Sequence, residues 1–357
     1  MTRVAMIVFS YYPNDTRVRR EAEALAQAGI SVDVLCLIYP GEPKNEKING
    51  VNVHRIKIEK KTRPGKAHHI WQYSYFILAS FFKLSALHLK KKFDFVHVHN
   101  LPDILVLSAL VPRIRILKLF EKFSIKLCEH VIVATPFLKE TVVKRSAQED
   151  KVTTILNLPD IRYFENFKTE IRKRPDPFNL IYPGTFSKIH GVDIAIHAVK
   201  KAIAASQINI HLHLYGLGEE EENLHLLVEK LHLQQHVFFH QMVQIDELAE
   251  ILTTMDIGLV PKHDGIFIGE AISTKMFDYA AVGLPIICSK TSGDSLYFDE
   301  TMVQFFEPGN SDQLAESIIK LYHNYELRKK YSENATKLIR KMNWQTVQRE
   351  LIDIFTI

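Results

Sequence analysis

Alternating blocks of apolar and polar residues run the length of the chain. Val4 to Phe9 is a short apolar run, followed by a polar loop from Ser10 to Asp15. Thr16 to Ala28 then places Val18, Ala22, Leu25 and Ala26 at helical spacing, and Gly29 follows as a left-handed cap. Val32 to Ile38 is again apolar and β-branched, so strand, helix and strand in this order predict the unit of a parallel sheet. Further strands are predicted at Val51 to Ile58, Phe93 to His99 and Val131 to Thr135. From Arg162 to Pro177 the pattern is irregular, with Pro175 and Pro177 bracketing Asp176, which marks a linker. The alternation then restarts, with strands at Asn179 to Tyr182, Ile210 to Tyr215, Val237 to His240, Ile257 to Val260 and Pro285 to Ser289. Helices are predicted between them at Val192 to Ala205, Glu220 to Leu231, Ile245 to Thr254 and Glu270 to Val282. Two successive α/β domains follow, residues 1–165 and 166–335, with a segment 336–357 whose last helix, Trp344 to Phe355, returns to the first domain. Ligand crevices are expected at the carboxyl ends of the strands and between the domains.

The 357 residues suit two domains of about 150 each, and 46% apolar with 24% charged residues excludes a mainly disordered or collagen-like chain. Cys36, Cys128 and Cys288 lie far apart without Cys-x-x-Cys spacing, so neither a zinc site nor a disulfide framework is expected, and a reducing cytoplasm fits. The opening apolar run is too short for a secretory signal. No apolar run of about 20 residues exists; the nearest, Ile70 to Phe82, contains Gln72 and ends at Lys83. Charge is unevenly divided. Residues 1–165 carry 26 Lys and Arg against 16 Asp and Glu, or +10; the remaining 19 against 25 give −6, for the overall +4. A basic first half points to an anionic surface or substrate, leaving the second to hold any anion by local geometry.

Four motifs in order carry a family resemblance. Glu270 to Pro285 (EAISTKMFDYAAVGLP) resembles the Glu-x7-Glu region of the retaining glycosyltransferases of family 4. Tyr11 to Ala22 (YYPNDTRVRREA), His97 to Asp103 (HVHNLPD) and Tyr182 to Gly191 (YPGTFSKIHG) resemble the other motifs of that family. The resemblance covers nearly the whole chain and implies the GT-B arrangement of two Rossmann-like α/β domains with a cleft between them. It also implies that Glu270 faces the donor sugar and Asp278 holds the ribose hydroxyls. On a helix, Glu270, Thr274 and Asp278 share one stripe, and eight residues span about 12 Å, roughly a nucleotide sugar from hexose to ribose. Asp278 is one methylene shorter than the family's glutamate, which bears on affinity rather than chemistry. Gly269 and the free N–H groups of the helix start offer a seat for a pyrophosphate. Gly184, Thr185, Lys188 and His190 form a glycine-containing loop after a strand. Where relatives carry arginine, this loop leaves Lys188 as its cation, with His190 and Lys275 as helpers. Tyr215 to Glu222 (YGLGEEEE) lacks the third glycine of a dinucleotide fingerprint, and its glutamates repel a pyrophosphate; it reads as a tight strand-to-helix turn or one near the nucleobase.

In the first half, Asp15 and Arg17 sit at a helix start. Arg17, Arg19 and Arg20 oppose the helix dipole there, so they either meet an anionic group or pair with Glu21 and Glu23 at i, i+4. His97 and His99, two apart on one strand, offer metal-ligand spacing, but no third ligand is evident. The reading favours His99 and Asn100 as acceptor-side contacts, with His99 among the catalytic residues and no metal; packed histidines are the alternative. Residues 60–93 hold eight Lys and Arg and no Asp or Glu, interleaved with Trp71, Tyr73, Tyr75, Phe76, Phe81, Phe82 and Phe93. They read as an interfacial helix on an anionic membrane surface, against the alternative of a core helix; no nucleic-acid-binding fold accompanies them. Leu101 to Leu127 is helical in pattern throughout, so the first domain lacks one strand that the family has, together with its Asp-x-His-Asp-like loop. The function implied is retaining transfer of a hexose from a nucleoside diphosphate sugar to a cell-surface or lipid-linked glycan. No cofactor is needed, and the setting is cytoplasmic and peripheral to the inner face of the membrane. The alternative is a non-catalytic nucleotide-sugar-binding or scaffolding homologue that lost acceptor-side elements.

Overall fold

A computed structural model describes residues 1–58, 66–99, 122–263, 265 and 271–356, and the chain divides into two compact units. The first comprises Met1–Asn157 with Val347–Ile357, the second Leu158–Thr346.

The first unit opens with β1 (Arg3–Tyr11), α1 (Thr16–Gln27) and β2 (Ser31–Leu37), followed by β3 (Asn45–Ile48), β4 (Val51–Ile56), α2 (Lys66–Lys90) and β5 (Phe95–His99). The sheet order is β3-β4-β2-β1-β5, parallel except for β3 against β4. The hairpin β3–β4 is absent from the periodicity because Asn45 to Ile48 is polar. Its signal is local: Asn49 and Gly50 take φ of 48° and 88°, the left-handed pair that a two-residue hairpin turn requires. Asp15 caps α1 by accepting from the Val18 N–H at 3.4 Å. Helix α2 sits on the sheet through Phe76, which packs with Phe9, Leu37, Ile56 and Ile58; burying one such ring is worth about 2–3 kcal/mol. Beyond lie β6 (Val131–Val133), α3 (Pro136–Arg145) and β7 (Val152–Thr154); β6 and β7 pair in parallel as a separate two-stranded sheet. The expectation of a missing strand falls on residues 100–121, outside the described residues. In the returning segment, Phe355 sets its ring edge-on to Phe95 at 5.5 Å.

The second unit comprises β8 (Phe178–Pro183), α4 (Val192–Ser206), β9 (Ile210–Tyr215), α5 (Glu221–Lys230), β10 (Val237–His240), α6 (Ile245–Thr253), β11 (Ile257–Val260), α7 (Thr274–Val282), β12 (Ile286–Ser289), β13 (Gln304–Phe306), α8 (Ser311–His323) and α9 (Tyr325–Lys341); α10 (Trp344–Ile354) starts here and runs on into the first unit's residues. Its sheet is parallel throughout, in the order β10-β9-β8-β11-β12-β13. Numbered from β8 this is 3-2-1-4-5-6, the doubly wound Rossmann order, whose direction of winding reverses between β8 and β11. Alternate residues of β8 and β9 (Leu180, Tyr182, Leu212, Leu214) face a core completed by Ile194, Ala198 and Val199 of α4. Both units are thus α/β, with Rossmann-like sheets.

One predicted element starts elsewhere. The helix expected from Glu270 begins at Thr274, and Ala271, Ile272 and Ser273 are irregular; Glu270 itself lies outside the described residues. The reason is tertiary. The Asp294 carboxylate accepts from the Ser273 N–H at 2.7 Å, and Lys262 donates to the Ala271 carbonyl at 2.7 Å, which diverts both groups from a helical ladder.

Candidate functional site

In open parallel sheets ligands bind beyond the carboxyl ends of the strands where the winding reverses, and in the second unit this point is occupied by a cavity of about 260 Å³. Its walls are Tyr182 at the end of β8, Val260 to Lys262 at the end of β11, Ile189 and His190, and Ala271 to Lys275 at the entry to α7. Helix α7 is fixed over the sheet by Tyr279, whose hydroxyl reaches the carbonyls of Ile181 at 3.4 Å and Leu259 at 3.2 Å. Lys275, one turn earlier on the same face, therefore lies over β8, its ammonium 5.0 Å from the Tyr182 ring centroid. Glycine at 184 is what permits this: a Cβ there would stand 2.5 Å from Lys275 Cε. At Gly191, which has φ +66°, a Cβ would meet the Pro261 carbonyl oxygen at 1.7 Å, so the loop reaches the end of β11 only with glycine.

Electrostatically the cavity is cationic. Burial holds the Lys275 ammonium down at about 8, Lys262 adding to the effect while Asp278 and Asp294 oppose it. Burial and then Lys275 hold the His190 imidazole at about 4, so it is neutral at physiological pH; its Nδ1 lies 2.8 Å from Ser187 Oγ. The start of α7 lines the same region and brings the partial positive charge of a helix N-terminus, while the Ser273 N–H is held by Asp294. Behind them lies a buried ion pair: Lys262 Nζ is 2.6 Å from Asp294 Oδ2, and Thr291 Oγ1 donates to the same oxygen at 2.8 Å. This pair sets the course of residues 271–273 into α7. Sequence reasoning missed it because 32 residues separate the partners and neither is part of a periodic pattern. The available signals were local: Lys262 stands two residues beyond the end of an apolar strand, and Thr291 and Asp294 have the spacing of a side-chain-capped turn.

Of the predicted donor-side residues, Gly184, His190 and Lys275 converge on this region, and Asp278 follows one turn along α7, half-buried. Thr185 and Lys188 are exposed in the loop, and Lys188 does not line the cavity, so of the two lysines expected at the donor side Lys275 is the one that does. Glu270 and Gly269 lie outside the described residues. The Tyr215 to Glu222 segment serves as a tight turn: Cβ atoms at Gly216 and Gly218 would stand 1.9 Å from the Gly184 oxygen and 2.2 Å from the Phe186 oxygen, so the two loops pack backbone to backbone.

In the first unit, Asp15 caps α1 and lies 3.5 Å from the Arg17 guanidinium. Arg19 pairs with Glu23 at 3.1 Å, as the i, i+4 reading expects; Glu21, however, turns inward, buried below β5. Its oxygen Oε2 lies 3.9 Å from His97 Nδ1 and 3.8 Å from His99 Nδ1. Burial pushes the Glu21 carboxyl up to about 7, against Arg20 and Arg17, which lower it, with Asp15 adding to the rise. Burial, reinforced by Arg17, holds His97 at about 4; burial, His97 and Arg17 hold His99 well below the usual histidine range. Asn100 lies outside the described residues.

Two α/β units with Rossmann-like sheets, one with a cavity beside a buried lysine at its switch point, define the class of two-domain Rossmann-like proteins. Sequence comparison resolves the family. The glycosyltransferase family 4 profile matches residues 15–162 and that of the glycosyl transferases group 1 residues 164–338; the chain belongs to these GT-B-fold glycosyltransferases. An uncharacterized glycosyltransferase of Methanocaldococcus jannaschii is 24% identical over 99% of this chain and 98% of its own length. Among solved structures, Anabaena HepE in complex with UDP and glucose superposes with a TM-score of 0.73 at 12% identity, covering 100% of both chains. WaaG, a glycosyltransferase involved in lipopolysaccharide biosynthesis, gives 0.74 at 17% identity, covering 99% of both.

Proposed function

We propose that the protein transfers a hexose from a nucleoside diphosphate sugar to a cell-surface or lipid-linked glycan, with retention at the anomeric carbon. The observation that carries this is the cavity at the β8/β11 switch point, with Lys275 and the start of α7 directed into it. A diphosphate seated there meets an ammonium and backbone N–H groups as negative charge develops on its departing oxygen, an electrostatic form of catalysis that requires no protein nucleophile. In this reading Asp278 accepts from ribose hydroxyls and Glu270 orients the sugar. HepE, with its bound UDP and glucose, supports the choice of donor class, and WaaG that of a lipid-linked acceptor. Asp15, Arg17 and Asn100 belong to the acceptor side in this reading, and the two domains to residues 1–165 and 166–335 with the returning segment 336–357.

The membrane surface enters through α2. Gln72, Phe76 and Ser80 form its buried face, whereas Trp71, Tyr75, Leu78, Phe81 and Phe82 are 43–68% exposed on the other side. Lys90, Lys91 and Lys92 follow, so the helix presents apolar rings and cations together, suited to anionic headgroups. Among the described residues no helix is long and apolar enough to cross a membrane. A location at the inner face of the cell membrane follows from this reading.

Calorimetry with UDP-, GDP- and dTDP-sugars tests the proposal, with Asp278→Ala as control. One donor is expected to bind, and the variant to weaken it by about 10–100-fold through loss of charge-assisted hydrogen bonds. Transfer should then follow with that donor and vanish in Glu270→Ala. Binding without transfer or donor hydrolysis would identify a non-catalytic homologue; no binding at all would refute the donor site.

A further inference from the structure

We infer that Glu21, His97 and His99 form a binding site for a divalent transition-metal ion of the zinc class. The two histidines alternate with Val98 on β5, so both imidazoles project from the same face of the sheet, with ring centroids 4.0 Å apart. Glu21 descends on them from the second turn of α1, and one ligand atom from each of the three residues lies within 4.8 Å of the others. Two imidazoles and one carboxylate are the donor set of many three-ligand zinc sites, which keep a further position open for water.

The separations favour an ion over a hydrogen-bonded cluster. At 3.8 and 3.9 Å from the histidine nitrogens, Glu21 Oε2 is too distant to accept from either. Glu21 Oε2 and His97 Nδ1 are both buried without a hydrogen-bond partner among the described residues, as is His99 Nε2, the other nitrogen of the ring whose Nδ1 faces Glu21. Each such group costs about 1–3 kcal/mol, so Glu21 Oε2 and His97 Nδ1 facing each other form a costly arrangement unless something sits between them. A tetrahedral ion bonded at about 2.1 Å needs ligand atoms roughly 3.4 Å apart, about half an ångström less than the two Glu21–histidine separations, while all three ligand atoms lie within 4.8 Å of one another. Two cations, Arg20 and Arg17, and one further carboxylate, Asp15, act on Glu21, and Arg17 is shared with Asp15. Phe355, 5.5 Å from His97, closes one side. The site lies at the end of β5 beside β1, the switch point of the first unit's parallel strands, where an ion has access to incoming ligands. This assigns His99 to an ion rather than to direct contact with the acceptor, and it does not depend on the donor-site proposal.

The test uses full-length protein without an affinity tag, stripped with EDTA and titrated with Co²⁺ as the spectroscopic probe. The expected result is one equivalent bound with the intense visible ligand-field band of a low-coordinate site, bleached by one equivalent of Zn²⁺. His97→Ala and the isosteric Glu21→Gln should each weaken binding by more than about tenfold. His213→Ala, which alters the separate pair of His213 and His240 at 3.1 Å, should leave it unchanged. Absence of the band, affinity unaffected by the Glu21 and His97 substitutions, or loss of binding in His213→Ala would each overturn the proposal. Circular dichroism checks folding of the variants. If they fail to fold, the wild-type spectrum decides: only the weak absorption of a six-coordinate, water-rich site would also overturn it.

Discussion

Removing the Asp294 carboxylate tests whether the buried ion pair organises the donor cavity. Asp294 is fully buried and the Lys262 side chain is 7% exposed. In Asp294→Ala the ammonium stays enclosed with only the Ala271 carbonyl for company, and the Ser273 N–H and Thr291 hydroxyl lose their acceptor. Stranding one member of a buried pair costs about 3–5 kcal/mol, because the desolvation of the survivor is no longer offset. For a unit of about 190 residues, an unfolding entropy of roughly 2.1 cal/mol/K per residue gives about 0.4 kcal/mol per degree. A melting temperature about 10 °C lower is therefore expected, read by calorimetry on the transition of the second unit. Replacing both partners, as Lys262→Met with Asp294→Leu, should recover a substantial part of the loss, since no charge is left buried. Nucleotide affinity should fall in both, because residues 271–273 lose the anchors that aim α7. A cost under about 1 kcal/mol for Asp294→Ala, or a double variant no more stable than the single one, would refute the reasoning.

Further tests address the cation, the loop and the helix surface. Lys275 titrates at about 8, so it is charged below that pH and neutral above it; nucleoside diphosphate affinity should hold to about pH 7 and fall by up to about tenfold per unit above 8. Lys275→Arg should flatten that profile; a flat wild-type profile to pH 9.5 would exclude Lys275 from anion binding. Gly191→Ala should destabilise the second unit by at least about 2 kcal/mol in urea unfolding, since the left-handed backbone is joined by a collision with Pro261. Gly29→Ala, with φ +83° and no atom within 4 Å of the added Cβ, should cost only about 1 kcal/mol, and equal effects would contradict this account. Phe82→Glu together with Trp71→Glu should abolish sedimentation with phosphatidylserine vesicles while leaving nucleotide affinity unchanged; retained vesicle binding would exclude α2 as the contact.

Much of the architecture was legible in the residues because its signals are local. Apolar runs bounded by turn residues gave β1, β2, β9, β10 and β11 within a residue or two, and Gly29 marked the end of α1, since burial and helix geometry act over a few residues. The ordered motifs around Tyr182 and Lys275 located the second unit's site. The hairpin at Asn49 and Gly50 was also local, but its first strand is polar and carries no period. What the tertiary structure alone decided depends on partners far apart in sequence. Asp294 and Lys262 hold the Ser273 N–H and the Ala271 carbonyl just before α7 begins at Thr274, and Lys275 rather than Lys188 lines the cavity. Glu21, which the helical pattern offered as a surface partner for Arg17, instead supplies the third group facing His97 and His99. Periodicity shows which face of an element is buried; which polar groups meet there depends on how helix and sheet come together, and 76 residues separate Glu21 from His97.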